Sequence, residues 1–255
     1  MTQQWPDELW IVRHGESAGN VARDQAYADG LAVIDVAQRD VDVPLSALGE
    51  RQATALGAWL AALPASEQPT SLLTSPYRRA TETAHAIARA GGLAPNSPTT
   101  IDERLREREF GVLDRLTKVG IEQRFPELAA LRARIGKFYF RPPGGESWCD
   151  VILRLRSFVD TMSIHHSRRG ARLLVVAHQV IVLCLRYLIE ELSEQEILAI
   201  DRAAEVANCG VTRYVLERDG APGGRLRLAT YNFVAPLEQA GAPVTSRPDE
   251  PAGAK

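Results

Sequence analysis

Apolar residues follow two rhythms along this chain. Leu9-Trp10-Ile11-Val12, Ser71-Leu72-Leu73 and Leu173-Leu174-Val175-Val176-Ala177 are short continuous runs without polar alternation. Such runs predict strands covered on both faces. Between them the apolar positions recur at helical spacing. Ser46 can cap a helix whose buried stripe uses Leu48, Leu56, Trp59, Leu60 and Leu63. A second helix is predicted to start near Tyr77, directly after the run that ends at Ser75. After the turn Gly144-Gly145, Ser147 and Asp150 have the spacing of a capping box for a long helix that buries Trp148, Val151, Ile152, Leu155, Phe158, Val159 and Met162. That helix ends in His165-His166-Ser167-Arg168-Arg169-Gly170. Positive charge there complements the carboxyl-end dipole and Gly170 can take a left-handed stop, so the histidine pair reads as capping rather than as a ligand. Two late strands, residues 212–217 and 225–231, are split by a loop rich in Gly and Pro.

Strand and helix signals thus alternate, which predicts an α/β fold: three layers, with a mostly parallel central sheet flanked by helices. With 255 residues and 45% hydrophobic content, the chain can bury a full core as one domain, assigned to residues 1–235. Beyond Ala235, four prolines among scattered Ala and Gly predict a disordered tail, residues 236–255. No internal repeat is present.

Charge and cysteine content narrow the function classes. Thirty basic against 32 acidic side chains give a net charge of −2, so nothing global attracts nucleic acid or a membrane, and a cationic site must come from local clustering. Cys149, Cys184 and Cys209 lack a short paired spacing, which argues against a disulfide framework or a zinc knuckle. A reducing cytoplasm is the simplest compartment. The first residues lack both a basic start and an apolar signal core, and no later run approaches membrane-spanning length. The expected partner is a small molecule, with homo-oligomerisation left open.

The chemistry-bearing residues gather where apolar runs end. Arg13-His14-Gly15-Glu16-Ser17 follows the first run, His178 follows the run 173–177, and the segment 75–84 with Arg79 follows the run 71–73. The carboxyl edges of parallel strands are where open α/β sheets build their sites. These blocks closely resemble the histidine phosphatase superfamily, in its phosphoglycerate mutase-like branch, which also holds fructose-2,6-bisphosphatase and broad-specificity phosphatases. The resemblance runs from about Leu9 to about Phe233 and keeps the family's order: Arg13 to Ser17 with Asn20, then residues 44–49, 75–84, 105–111, and Ala177-His178-Gln179. It implies a phosphoglycerate mutase-like fold and phosphoryl chemistry on histidine.

A phosphatase must supply a nucleophile, charge neutralisation and a proton for the leaving oxygen. His14 is the candidate nucleophile: Arg13 beside it disfavours the imidazolium, and the resemblance implies that its other ring nitrogen donates to a nearby backbone carbonyl. Arg13 and Arg79 offer forked donors that fit phosphate oxygens two at a time. His178, protonated, would donate to the same oxygens. Glu107, placed by the family's Leu105-x-Glu spacing, is the candidate proton donor, since a buried carboxyl beside a phosphate dianion should hold its proton more tightly. Glu109 is its rival, and most of the charged run 102–109 reads as a solvated face. The chain has no His-x-x-x-His and no carboxylate beside either histidine within its motif, so a metal mechanism is set aside and no metal or other cofactor is expected.

Substrate choice is less legible. Ser17 and Asn20 resemble the family's residues near the phosphate. Gln179 stands where many members carry Gly and looks like the bisphosphatase branch. Lys118, eleven residues beyond Glu107, matches a lysine that mutases place over a second anionic group, and Arg132, Arg134, Lys137 and Arg141 follow it, with an ordinary basic helix face as the alternative. The direct step from Pro142-Pro143 to Gly144-Gly145 lacks a segment that mutases insert, which favours water as the final acceptor. Residues 21–41 are longer than the usual connection between these motifs and suggest a lid or rim. The resulting expectation is metal-independent phosphomonoester hydrolysis on a small anionic phosphometabolite, such as a sugar phosphate, a sugar bisphosphate or a phosphoglycerate derivative. Mutase-type phosphoryl transfer and a non-catalytic phospholigand-binding or scaffold role stand as alternatives.

Overall fold

The computed structural model describes residues 4–218 and 223–246. Its sheet has six strands in the order β3-β2-β4-β1-β5-β6. These are β1 (Glu8–Arg13), β2 (Ser71–Thr74), β3 (Thr99–Ile101), β4 (Arg172–Ala177), β5 (Val211–Glu217) and β6 (Arg225–Phe233). The first four in spatial order are parallel, and β5 and β6 form an antiparallel hairpin against β1. The expected mostly parallel α/β sheet is therefore observed. The exposed strand β3 was not anticipated, because its Thr99-Thr100-Ile101 has no buried face to leave a pattern.

Burial on both faces explains why the central strands read as unbroken apolar runs. On β1, Leu9 and Ile11 join one core with Leu173, Val175 and Ala177, while Trp10 and Val12 join the other with Leu174 and Val176. Helix α1 (Ala18–Ala28) follows β1, and a long arm leads from it to α2 (Ala47–Ala61), which packs with α3 (Arg78–Arg89) over one face through Leu56, Leu60, Ala80, Ala84 and Ile87. The short helices α4 (Lys118–Arg124) and α5 (Pro126–Ile135) form a satellite with its own cluster of Leu113, Leu116, Ile121 and Phe140. The other face is covered by α6 (Trp148–His165) and α7 (Gln179–Ile189), with α8 (Glu194–Ala203) beside them. Ser46 and Ser147 cap α2 and α6 as predicted, the latter through a reciprocal box with Asp150.

Two expectations need correction. The left-handed Gly170 lies beyond the end of α6, whose cap is His166, and instead shapes the turn into β4. The tail is not disordered from residue 236: α9 (Ala235–Gln239) packs Leu237, fully buried, into the α2–α3 core. The backbone then continues to Pro243 and Thr245, both of which accept hydrogen bonds from Gln52 Nε2, at 2.8 and 3.0 Å. A low apolar density hid this, since a few well-placed contacts order the segment. Residues 247–255 of the expected tail lie outside the described residues.

Candidate active site

Three helices begin at the carboxyl ends of neighbouring strands. Ser17 caps α1 four residues after β1, Tyr77 precedes α3 after β2, and His178 precedes α7 directly after β4. Their N-terminal dipoles and backbone donors favour an anion where they meet. Arg13, His14, Ser17, Asn20, Arg79, Glu107, His178 and Gln179 are all buried.

His14 is held on both sides of its ring. Its Nδ1 lies 2.7 Å from the Gly15 carbonyl, which can only accept, so Nδ1 carries the proton. The lone pair of Nε2 is then presented to the Nε–H of Arg79 at 3.2 Å. His178 meets His14 edge-to-face with ring centroids 5.1 Å apart, and its Nε2 is 2.8 Å from Ser75 Oγ. Glu107 Oε2 lies 3.9 Å from His178 Nδ1, while Glu107 Oε1 accepts from the Arg108 N–H at 2.7 Å. Arg13 donates through Nη1 to the Val206 carbonyl at 2.6 Å. Glu109, the rival carboxylate, accepts from Tyr77 Oη at 2.9 Å.

A pocket enclosing about 70 Å³ is lined by Ser17, Asn20, Arg79 and Glu107 together with Arg23, Phe110, Asp114 and Arg115. Ile34, Val36, Gln38 and Asp40 complete it from the arm between α1 and α2. This arm follows α1, which takes up the first part of the long connection 21–41. Ser17 and Asn20 form a reciprocal capping box, with Ser17 Oγ 3.1 Å from the Asn20 side chain, so both serve the start of α1 while facing the pocket.

Lys118 is not brought to this pocket. As the first residue of α4 it is exposed, 3.9 Å from Glu122, and it lines a separate cavity of about 480 Å³. Arg132 and Lys137 line that cavity too, Lys137 pairing with Asp201 at 2.7 Å, and Arg141 pairs with Asp150. Gln179 is bonded to Glu205 and does not line the pocket.

Several supporting residues escaped the sequence reading. Thr83 Oγ1 accepts from the Gly15 N–H at 3.0 Å, and Asn208 Nδ2 donates to the His14 carbonyl at 3.1 Å. Thr245 Oγ1 in turn donates to Asn208 Oδ1 at 2.9 Å. Glu146 and Arg154 hold the segment that carries Glu107: Arg154 donates to the carbonyls of Arg104 and Glu107 and pairs with Glu146, which also accepts the Glu109 N–H. No local pattern marks these partners, because each pair is distant in sequence or ordinary in type.

Two histidines and two arginines thus lie buried together near the carboxyl edge of the parallel strands. The model of the histidine phosphatase superfamily (branch 1) matches residues 9–227, and the chain belongs to that superfamily. The probable phosphoglycerate mutase GpmB of Yersinia enterocolitica is 31% identical over 208 residues, covering 81% of this chain and 83% of that protein. The phosphoglycerate mutase-like protein AT74H of Arabidopsis thaliana is 30% identical over 62% of this chain and 53% of its own length. A probable fructose-2,6-bisphosphatase of Schizosaccharomyces pombe is 29% identical over 74% of this chain, with only 40% of its length covered. The chain thus spans about half, or less, of two of these relatives. Among solved structures, mycobacterial glucosyl-3-phosphoglycerate phosphatase in complex with VO3 superposes with a TM-score of 0.66 at 27% identity, covering 89% of this chain and 99% of that one. YhfR of Bacillus stearothermophilus gives 0.68 at 25% identity, covering 90% and 98%. Among the described residues, no helix is long and apolar enough to cross a membrane.

Proposed function

We propose that this protein is a phosphomonoester hydrolase that works through a phosphorylated His14 on a small phosphometabolite. The observation that carries this reading is the clamped imidazole: Nδ1 bound to the Gly15 carbonyl and Nε2 turned to Arg79. His14 Nε2 attacks phosphorus, the P–O ester bond breaks, and Glu107 delivers a proton to the departing alkoxide. Water then attacks the phosphohistidine, the P–N bond breaks, and the Glu107 carboxylate takes the water's proton. Orthophosphate leaves and His14 returns to its neutral form. Arg13, Arg79 and protonated His178 neutralise the equatorial oxygens in both steps. No step in this sequence calls on a metal.

Names of relatives and neighbours support a phosphometabolite substrate, three of them referring to phosphoglycerate or its glucosyl derivative. A second anionic group on the substrate would meet Arg23 and Arg115, which line the same pocket as Arg79, rather than Lys118, which lines another. The likeness to GpmB favours mutase-type transfer as the second reading. Phosphate release from a panel of phosphomonoesters, with chelator present and with phosphoglycerate interconversion followed in parallel, tests both. Release that His14→Ala abolishes, without isomerisation, supports the hydrolase. Isomerisation makes it a mutase, and no turnover of any kind favours a binding role.

A further inference from the structure

Arg79 is committed along two edges of its guanidinium. Its Nε–H faces His14 Nε2 at 3.2 Å, while the opposite end is taken by Asp40: Nη1 donates to the Asp40 carbonyl at 2.7 Å and to Oδ1 at 2.8 Å, and Nη2 to Oδ2 at 3.3 Å. The ring of Tyr77 lies against the guanidinium, 4.9 Å from Cζ. An arginine on a flexible stem carries considerable rotamer freedom, and three fixed neighbours on three sides remove it. We propose that Asp40 is a positioning residue for phosphoryl transfer, holding Arg79 by its far end so that the Nε edge stays aimed at the reacting nitrogen of His14. This inference rests on the phosphoryl-transfer reading of the His14 site.

A carboxylate beside a phosphate site could instead act as a competing anion that substrate displaces. The anchoring of the arm favours positioning. The Ile34 N–H donates to the Arg115 carbonyl at 2.8 Å, the Thr117 N–H to the Ala32 carbonyl at 3.2 Å, and Thr117 Oγ1 to the Leu31 carbonyl at 2.6 Å. The approach is close enough that a Cβ on Gly120 would lie 1.9 Å from the Ala32 carbonyl oxygen. Nearer Asp40, Arg39 pairs with Asp42 at 2.8 Å across the 3-10 turn that Asp40 begins. The arm is thus stitched to the segment after Glu107 on one side of the pocket and presents Asp40 to Arg79 on the other. Arg79 is almost fully buried while the Asp40 side chain is 39% exposed, so a substitution at Asp40 leaves the core untouched.

The two roles predict opposite signs. With the proton-silent variant Asp40→Asn, positioning predicts that affinity for vanadate, a mimic of the pentacoordinate transition state, falls about tenfold and kcat falls similarly, with KM and inorganic phosphate affinity changed less than about threefold. Asp40→Glu, which keeps the charge, should recover part of the loss, and both variants should melt near wild type. Vanadate or phosphate binding that tightens in Asp40→Asn would show a competing anion and overturn the proposal, as would unchanged vanadate affinity and kcat. Binding is read by calorimetry, independently of turnover. A wild-type protein that binds neither anion would remove the phosphoryl-transfer reading together with this one, whereas wild-type binding with no loss in the variants would remove this one alone.

Discussion

Gly15 and Gly49 meet backbone to backbone: a Cβ on Gly15 would lie 2.6 Å from the Gly49 carbonyl oxygen, and a Cβ on Gly49 would lie 2.0 Å from that of Glu16. The first turn of α2 thereby buttresses the loop that carries His14. Ser46 ties the same junction, its N–H donating to the Glu16 carbonyl at 2.9 Å and its Oγ to Glu16 Oε1 at 2.6 Å. Neither glycine has room for a methyl group without a backbone shift. Gly49→Ala is expected to cost about 1–3 kcal/mol of stability and to lower kcat by displacing His14. Thermal unfolding and phosphate release measure the two effects, and a variant with wild-type values in both would show that the loop does not depend on this contact.

Glu107 is fully buried, with one oxygen near His178 and the other on the Arg108 N–H. Glu107→Gln keeps the acceptor for Arg108 and removes the transferable proton. Turnover of an alkyl phosphate should fall roughly 10² to 10⁴-fold, with a smaller loss on an aryl phosphate whose leaving group needs no proton. Phosphate binding should be largely retained. An alkyl phosphate hydrolysed at the wild-type rate would assign the proton to another group.

Much of this site was readable in the sequence because its determinants are local. Strands buried on both faces leave unbroken apolar runs, capping boxes have fixed spacing, and in a parallel sheet the residues after β1, β2 and β4 must share an edge. Contacts made by chain reversal were not readable. Asp40 reaches Arg79 across 39 residues, and Thr245 reaches Asn208 through a segment whose composition suggested disorder. Lys118 shows the converse limit. Its distance from Glu107 in sequence matched a motif, but Thr117 caps α4 through the Gly120 N–H at 3.2 Å, and that cap fixes the helix start with Lys118 facing the second cavity. Residue spacing counts positions along the chain and carries no helical phase across a change of element.

The junction that holds Glu107 should be pH-sensitive. Burial opposes ionisation of Glu146, but hydrogen bonds and charge from Arg154, the Glu109 N–H and the charge of Arg106 outweigh it and hold the carboxyl below its usual value of 4.5. A depressed folded-state pKa contributes stability that is full above the unfolded value and lost as pH falls through the folded one. Glu146→Gln should therefore cost about 2 kcal/mol near neutral pH, with the difference from wild type shrinking as the pH falls below 4.5 and through the depressed folded-state value. Denaturant unfolding across that range checks the sign, and a gap that widened on acidification would contradict it.

Asn208 links the end of the described chain to the nucleophile. Fully buried, it donates to the His14 carbonyl at 3.1 Å, and its own backbone N–H donates to the Thr245 carbonyl at 2.8 Å. Removing its amide takes one hydrogen bond from the His14 carbonyl, which keeps a longer one from the Cys209 N–H at 3.3 Å, and one from the Thr245 hydroxyl, which still accepts from Gln52 Nε2, a loss of about 1–3 kcal/mol in all. The Cys209 N–H, which donates to the Arg13 carbonyl at 3.0 Å, retains part of the support for the loop. Asn208→Ala should thus lower both melting temperature and kcat, whereas Thr245→Ala, which removes one hydroxyl and leaves the backbone contact, should lower stability by less and keep most of the activity. If Thr245→Ala proved as damaging as Asn208→Ala, the C-terminal segment would be fixing the His14 loop through its side chain; if neither changed activity, the loop would owe its position to α2 and α3 alone.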